Sequence, residues 1–355
     1  MKRYLILEDG TVFEGEAFGA CVQSIGELVF TTGMCGYIET LTDPSYCGQI
    51  VLHTFPLIGN YGVIESDFDG DCHIKGYIVR EWCDTPSNFR SQYDIDKFLK
   101  DRGVPGICSV DTRQLTRIIR EQGVMNAIIC DSPDLSSELL ERVKNYRVGD
   151  AVNAVTCKEP LIFPANGEKK FNVAVLDLGV RSYIIDSLSS RGCKVTVVPA
   201  ATCADDILAL SPDGVVISNG PGDPAQYTGI ISEISALFGR VPLFGIGLGH
   251  QLMALCRGAV TLKLKYGHRG ANQPVKDLAA GRTIITEQNH GYAVDQDSIT
   301  DGCARFVNAN DMTVEGIDYP ESRAFSVQFY PESCPPHGIQ SPFDRFCSMM
   351  EGGDL

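Results

Sequence analysis

Basic runs are absent from this chain: its 30 Lys and Arg are scattered, and against 45 Asp and Glu they leave a net charge of −15. That balance excludes the electrostatic footprint of a nucleic-acid binder and offers no attraction to an anionic membrane. Long apolar runs are missing too, since no stretch reaches the roughly 20 apolar residues of a membrane span. Near the start, the run "YLIL" gives out at Glu8 and Asp9, too short for a signal peptide, so a cytoplasmic protein is expected. Cysteine pairs are also lacking: the 14 cysteines fall singly from Cys21 to Cys347 with no C-x-x-C, and the 6 histidines are equally dispersed. Most thiols are therefore expected to be small buried hydrophobes, and no residue is assigned to a metal.

What is present is ordinary globular composition, 44% hydrophobic and 21% charged over 355 residues, enough for two domains. The first half opens with short apolar runs around Asp9-Gly10, a pairing that favours a tight hairpin. "DIDKFLKDRG" and "DTRQLTRIIREQG" each set an Asp before helically spaced apolar residues and a Gly after them, the start and stop signals of short helices. A mixed α+β domain over residues 1–149 is expected, then a linker over 150–170, where prolines and charges interrupt the pattern. From Phe171 strand and helix patterns alternate: "NVAVLDLG", "RSYIIDSLSSRG", "KVTVVPA", "ADDILALSPDG", "GVVISNGPGDP". This predicts an α/β domain over residues 171–355 with a doubly wound, mostly parallel sheet, whose ligands bind beyond the carboxyl ends of the strands. The loops "SNGPGDP" and "GIGLGHQ" fall at those ends.

In the second loop Gly245, Gly247 and Gly249 alternate between an apolar strand and the helix "HQLMALCRG". Such a sharp turn is the geometry of a nucleophile elbow, whose middle position carries Ser or Cys and whose next backbone N–H helps form an oxyanion hole. Here the middle residue, Gly247, has no side chain. Phosphate binding is the other reading of glycines before a helix, but the dinucleotide pattern fails, with His250 where its third glycine belongs and no acidic residue about 20 positions on.

The motifs "SNGPGDP", "GIGLGHQ", "YGHRGANQPV", "EQNHGYAVD" and "FSVQFYPES" follow one another in an order that resembles the class I glutamine amidotransferase domain of the carbamoyl-phosphate synthase small-subunit family. "GELVFTTGMCGYIETLTDPSYCGQIV", "SNFR" and "DTRQLTRIIREQG" resemble that family's amino-terminal domain, so the likeness spans essentially the whole chain. The resemblance implies a small subunit that hydrolyses L-glutamine and passes ammonia to a large subunit, the latter using ATP, bicarbonate and metal to make carbamoyl phosphate for arginine and pyrimidine biosynthesis. It implies no cofactor in this chain. It also implies a cysteine nucleophile in the elbow, a histidine base in Q-x-H-P-E and a glutamate that orients the base. Gly247 stands at the nucleophile position and Tyr330 at the base position, leaving Glu332 alone of the three.

Losing a nucleophile or base costs on the order of 10⁶ in turnover in a comparable triad, so glutaminase activity is expected to be lost, leaving a scaffold for ammonia-dependent synthesis. A glutamine-binding regulatory module is the alternative, and hydrolysis through an unidentified nucleophile a third, with Cys256 and Cys334 the thiols nearest in sequence. By the resemblance, Ser45, Gly220, Gly222, Leu248, Gln251, Asn289, Gly291 and Tyr292 line the glutamine pocket. Taken singly, the glycines answer to turn geometry, Ser45 to a turn hydroxyl, and Asn289 and His290 to loop hydrogen bonding. Further departures are Tyr183, where the family usually has asparagine, and Arg269 and Gln273, where histidines are common.

Overall fold

Asp9-Gly10 does turn the chain: in the computed structural model, which describes residues 1–334 and 340–353, Gly10 takes φ 90° between the antiparallel strands Lys2–Leu7 and Val12–Gly19. Contacts divide the chain into two units, Met1–Ala151 and Val152–Leu355. In the first, that hairpin is part of a closed barrel. Val12–Gly19 pairs with Pro105–Cys108, which continues through Gly76–Ile78, Gln49–His53, Ser24–Thr31 and Met125–Cys130 back to Lys2–Leu7. The barrel carries the two helices predicted from their Asp caps. Asp94 accepts from Lys97 N (2.7 Å) to open Ile95–Asp101, and Asp111 accepts from Gln114 N (2.9 Å) to open Thr112–Gln122. Each bond satisfies a first-turn donor that the helix itself leaves without a partner.

In the second unit five strands run parallel in the order Cys193–Pro199, Phe171–Asp177, Gly214–Ile217, Leu243–Ile246, Ala324–Val327. Both faces of this core are covered. Ala174 and Leu176 enter one apolar cluster with the helix residues Leu252 and Met253, while Val173 and Val175 enter another with Ile184, Phe343 and Phe346. Double burial explains why these strands read as continuous apolar runs rather than as alternating ones. Beyond Ala324–Val327 the sheet becomes antiparallel through Val314–Tyr319, Arg282–Val294, Thr261–Asp277 and Cys303–Asn308. Within residues 150–170 the chain forms a short helix, Ala151–Val155, and a strand, Leu161–Phe163, hydrogen-bonded antiparallel to Cys193–Pro199 at the sheet edge.

Candidate active site at the glycine elbow

Four of the parallel strands end side by side, so the segments leaving them, 178–181, 218–222, 247–249 and 328–332, meet at one edge of the sheet. Gly247 caps the helix Leu248–Cys256 with φ 57° and ψ −110°, a backbone conformation that L side chains rarely adopt. Its N–H donates to Val327 O (2.9 Å), and Gly249 N–H donates to Ser218 O (3.0 Å), so the turn is pinned to strands on either side. Leu248 N–H is a first-turn donor with no intrahelical acceptor, placed as an oxyanion-hole donor would be.

The three glycines of the elbow are not equivalent. A Cβ at Gly249 would lie 2.1 Å from Ile217 O, and one at Gly245 2.5 Å from Met253 Sδ. At Gly247 the nearest atom would be Asn219 Cβ at 3.2 Å, a contact that needs Asn219 to give by a few tenths of an ångström. The outer glycines are demanded by close packing, whereas at the central position the positive φ, more than the packing, opposes a Cβ.

At the base position, Tyr330 is buried, its N–H donating to Glu287 O (3.0 Å). Over its ring, 4.0 Å from the centroid, lies the guanidinium of Arg181. That guanidinium also pairs with Glu332, Nη1 to Oε1 at 3.0 Å, with the two side chains 4% and 13% exposed. Arg181 is itself held from the elbow side: its N–H donates to Asn219 Oδ1 (3.2 Å), and Asn219 Nδ2 donates to Gly179 O (2.9 Å). The retained carboxylate therefore neutralises a buried cation. Removing one partner of such a pair strands the other's charge, which costs about 3–5 kcal/mol. Glu332→Gln is accordingly expected to lower stability by about 3 kcal/mol, the low end because the Tyr330 face still receives the guanidinium. Urea unfolding measures this, and a change below about 0.5 kcal/mol, the range of ordinary surface substitutions, would show that the pair is not coupled as described.

Neither thiol considered as a substitute nucleophile is activated. Burial pushes Cys256 up to about 12, with its Sγ–H directed at Met253 O (3.1 Å), and burial with the nearby Glu332 pushes Cys334 up to about 12. Both are held as neutral thiols near pH 7, and the thiolate is the nucleophile.

Around the elbow, Gly220 and Gly222 shape the loop after Gly214–Ile217. A Cβ on the first would strike Leu178 O at 2.2 Å, and the second has φ 95° beside the Tyr227 hydroxyl. Gln251 Nε2 donates to Tyr292 O (2.7 Å) and Gln328 Oε1 (2.8 Å), joining the elbow helix to the strand that carries Asn289, Gly291 and Tyr292. Leu248 is buried as the first residue of that helix. Ser45 belongs to the first unit, where Asp43 Oδ1 accepts its N–H (2.8 Å) in the turn Pro44–Tyr46. Arg269 is buried, donating from Nη1 to Tyr266 O (2.9 Å), with Nη2 3.2 Å from where a Cβ on Gly291 would sit.

Arg181 is the functional residue that sequence reasoning misses. The motif pattern singles out Tyr183, but Tyr183 is 39% exposed, while the residue that engages both Tyr330 and Glu332 lies two positions earlier. The available signal is one cation in an otherwise apolar segment between the first parallel strand and its helix.

Residues 5–129 match the family model described as Carbamoyl-phosphate synthase small chain, CPSase domain, and residues 174–349 match Glutamine amidotransferase class-I. Over 356 residues the chain is 48% identical to the carbamoyl phosphate synthase small chain of Listeria monocytogenes serotype 4b, covering 99% of this chain and 97% of that one. This chain belongs to the carbamoyl-phosphate synthase small-chain family. The small chain of Bacillus cereus is likewise 48% identical over 355 residues, 99% of this chain and 96% of the relative. Among solved structures, a glutamine amidotransferase from Thermotoga maritima aligns at 16% identity and a TM-score of 0.36, covering 51% of this chain and 82% of that one. Membership of the small-chain family agrees with the resemblance in the motifs and with a class I amidotransferase second unit. Among the described residues, no helix of this small chain is long and apolar enough to cross a membrane.

Proposed function

We propose that this carbamoyl-phosphate synthase small chain has lost its own glutaminase chemistry and acts as a scaffold for ammonia-dependent synthesis by a large subunit. The observation that carries this reading is Gly247: the elbow keeps the strained backbone that displays a nucleophile, and no nucleophile is there. Attack on an amide carbon needs a thiolate or alkoxide, and none of the described residues at this edge supplies one. Tyrosine, with an ordinary pKa near 10, is a poor proton acceptor at neutral pH, and Glu332 is committed to Arg181. On this reading ATP, bicarbonate and metal are handled by the large subunit, this chain contributes no cofactor to the reaction, and the complex is cytoplasmic and serves arginine and pyrimidine biosynthesis. The test is carbamoyl phosphate formation by the chain with its large subunit, fed with ammonia or with glutamine. The glutamine-fed rate is expected to fall below about one-thousandth of the ammonia-fed rate, given the cost of a missing nucleophile. Comparable rates would overturn the proposal.

A second reading, a glutamine-responsive binding module, is favoured by the Gln251–Tyr292 connection, which ties the elbow helix to the strand bearing Asn289 and Gly291. Gly220, Gly222, Leu248, Gln251, Asn289, Gly291 and Tyr292 of the second unit would form the lining. Glutamine then biases the large subunit only to the extent that it binds one conformation better than the other. Saturable heat on titrating glutamine into the complex, at or below millimolar concentration, is the expected result. Its absence up to that level would remove this reading and leave the scaffold.

A further inference from the structure

Away from the elbow, the antiparallel part of the sheet buries an arrangement of acceptors that faces itself. His268 on Thr261–Asp277 pairs in register with His290 on Arg282–Val294, and Glu315 reaches the same place from Val314–Tyr319. All three are buried, Glu315 completely. His290 Nδ1 is 2.8 Å from Tyr292 O, a carbonyl that only accepts, so the ring proton sits on Nδ1 and Nε2 presents its lone pair. His268 Nε2 lies 2.9 Å from the carboxylate of Asp311, which places that ring's proton outward and leaves Nδ1 facing inward. The two inward nitrogens are 3.2 Å apart.

Two more acceptors converge on them. Thr286 Oγ1 donates its proton to Gln273 O (3.0 Å) and therefore accepts from Gln288 Nε2 (3.2 Å), which turns Gln288 Oε1 toward His290 Nε2 at 3.0 Å. Glu315 Oε1 is 3.4 Å from His268 Nδ1 and 3.9 Å from His290 Nε2, with only long contacts from Asn308 Nδ2 (3.5 Å) and Thr313 Oγ1 (3.4 Å). The other oxygen, Glu315 Oε2, is buried with no hydrogen-bond partner.

We propose that His268 Nδ1, His290 Nε2, Gln288 Oε1 and Glu315 form a four-ligand site for a divalent cation of the zinc class. A tetrahedral ion with bonds of about 2.0–2.1 Å has ligand-to-ligand edges of about 3.4 Å; here His268–His290, His290–Gln288, His268–Glu315 and His290–Glu315 are 3.2, 3.0, 3.4 and 3.9 Å apart. Both imidazoles are already oriented from behind, one by a carboxylate and one by a backbone carbonyl, the outer-shell pattern that fixes a metal-binding tautomer. A proton is the competing occupant. On His268 Nδ1 it would serve one neighbour, leaving Gln288 Oε1 opposed to the His290 lone pair and Glu315 Oε2 still without a donor. The cation would brace the bulged stretch of Thr261–Asp277, where register shifts flank His268 to Gly270, against the strand bearing Asn289, Gly291 and Tyr292.

The test uses the full chain, untagged and grown with added zinc, and counts metal after dialysis without chelator. About one zinc-class ion per chain is expected. Asp311→Asn should weaken binding about 10- to 100-fold, and His268→Asn or Glu315→Gln should reduce occupancy at least tenfold. Should those variants fail to fold, the wild-type chain loaded with cobalt decides alone: tetrahedral ligand-field bands without a thiolate charge-transfer band support the site, because none of its ligands is a cysteine. A folded wild-type chain with less than about 0.1 ion, a thiolate band, or occupancy unchanged in folded variants would overturn the proposal and leave a shared proton in its place.

Discussion

Gly247→Cys and Tyr330→His made together are expected to raise glutamine hydrolysis at least about 10³-fold above either single variant. The single changes fail for separate reasons. A cysteine alone at 247 has a few per cent thiolate at neutral pH and no acceptor for its proton, and a histidine alone at 330 has nothing to activate. Together they act as a unit, so recovery should far exceed the product of the single effects. The first change meets a strained φ of 57° and close contacts with Asn219 at 3.2 Å and 3.4 Å, so it is tolerated only if Asn219 gives slightly. The second change meets an obstacle that the sequence does not display. Arg181 holds Glu332 at 3.0 Å and covers the ring at 330, so a new imidazole must share that carboxylate with a guanidinium. A full catalytic carboxylate contact therefore requires Arg181 to swing away. Ammonia release by the three variants, each followed across pH with the large subunit present, is the measurement. A folded double variant no better than the two singles would show that the pocket has diverged beyond its triad.

Gly249→Ala should destabilise the second unit by about 3–5 kcal/mol, whereas Gly247→Ala should cost about 1–3 kcal/mol. At 249 the methyl would sit 2.1 Å from Ile217 O and 2.7 Å from Ile217 C, both backbone atoms of a central strand that cannot rotate aside. At 247 the cost is conformational, the penalty of a Cβ at φ 57°. For a unit of this size each kcal/mol moves the melting temperature by about 2–4 °C, so the two variants should separate by several degrees in a thermal melt. Equal effects would mean that the elbow does not pack as described. The contrast also bears on the proposed scaffold role: a glycine at 247 avoids the strain that a side chain meets at φ 57°.

Much of the second unit was legible because its information is local. Double-sided burial makes Phe171–Asp177, Gly214–Ile217 and Leu243–Ile246 read as apolar runs, and the intervening helices show their own periodicity. Asp9-Gly10, Asp94 and Asp111 were equally readable, since each acts on backbone within a few residues. Closure of the barrel was not, because it depends on pairings such as Val12–Gly19 with Pro105–Cys108, far apart in sequence. At the site, the absent side chain at Gly247 and the tyrosine at 330 could be read residue by residue. The Arg181–Glu332 pair and the facing imidazoles of His268 and His290 could not, for each joins segments whose proximity only the sheet order reveals.

The sheet order also sets a timetable. Leu243–Ile246 lies between Gly214–Ile217 and Ala324–Val327, and the elbow N–H is received by Val327 O. A chain emerging from the ribosome at about 5–20 residues per second presents Leu243, Phe244 and Ile246 with one open strand edge for several seconds before residue 324 arrives to cover it. Within the sheet, Val314–Tyr319 is hydrogen-bonded to the parallel strands through Ala324–Val327, which is synthesised after it. During that interval the nascent protein carries an unpaired apolar edge, the kind of surface that recruits other chains. Shielding of that half-built edge during translation is therefore one physical requirement for the native sheet to form.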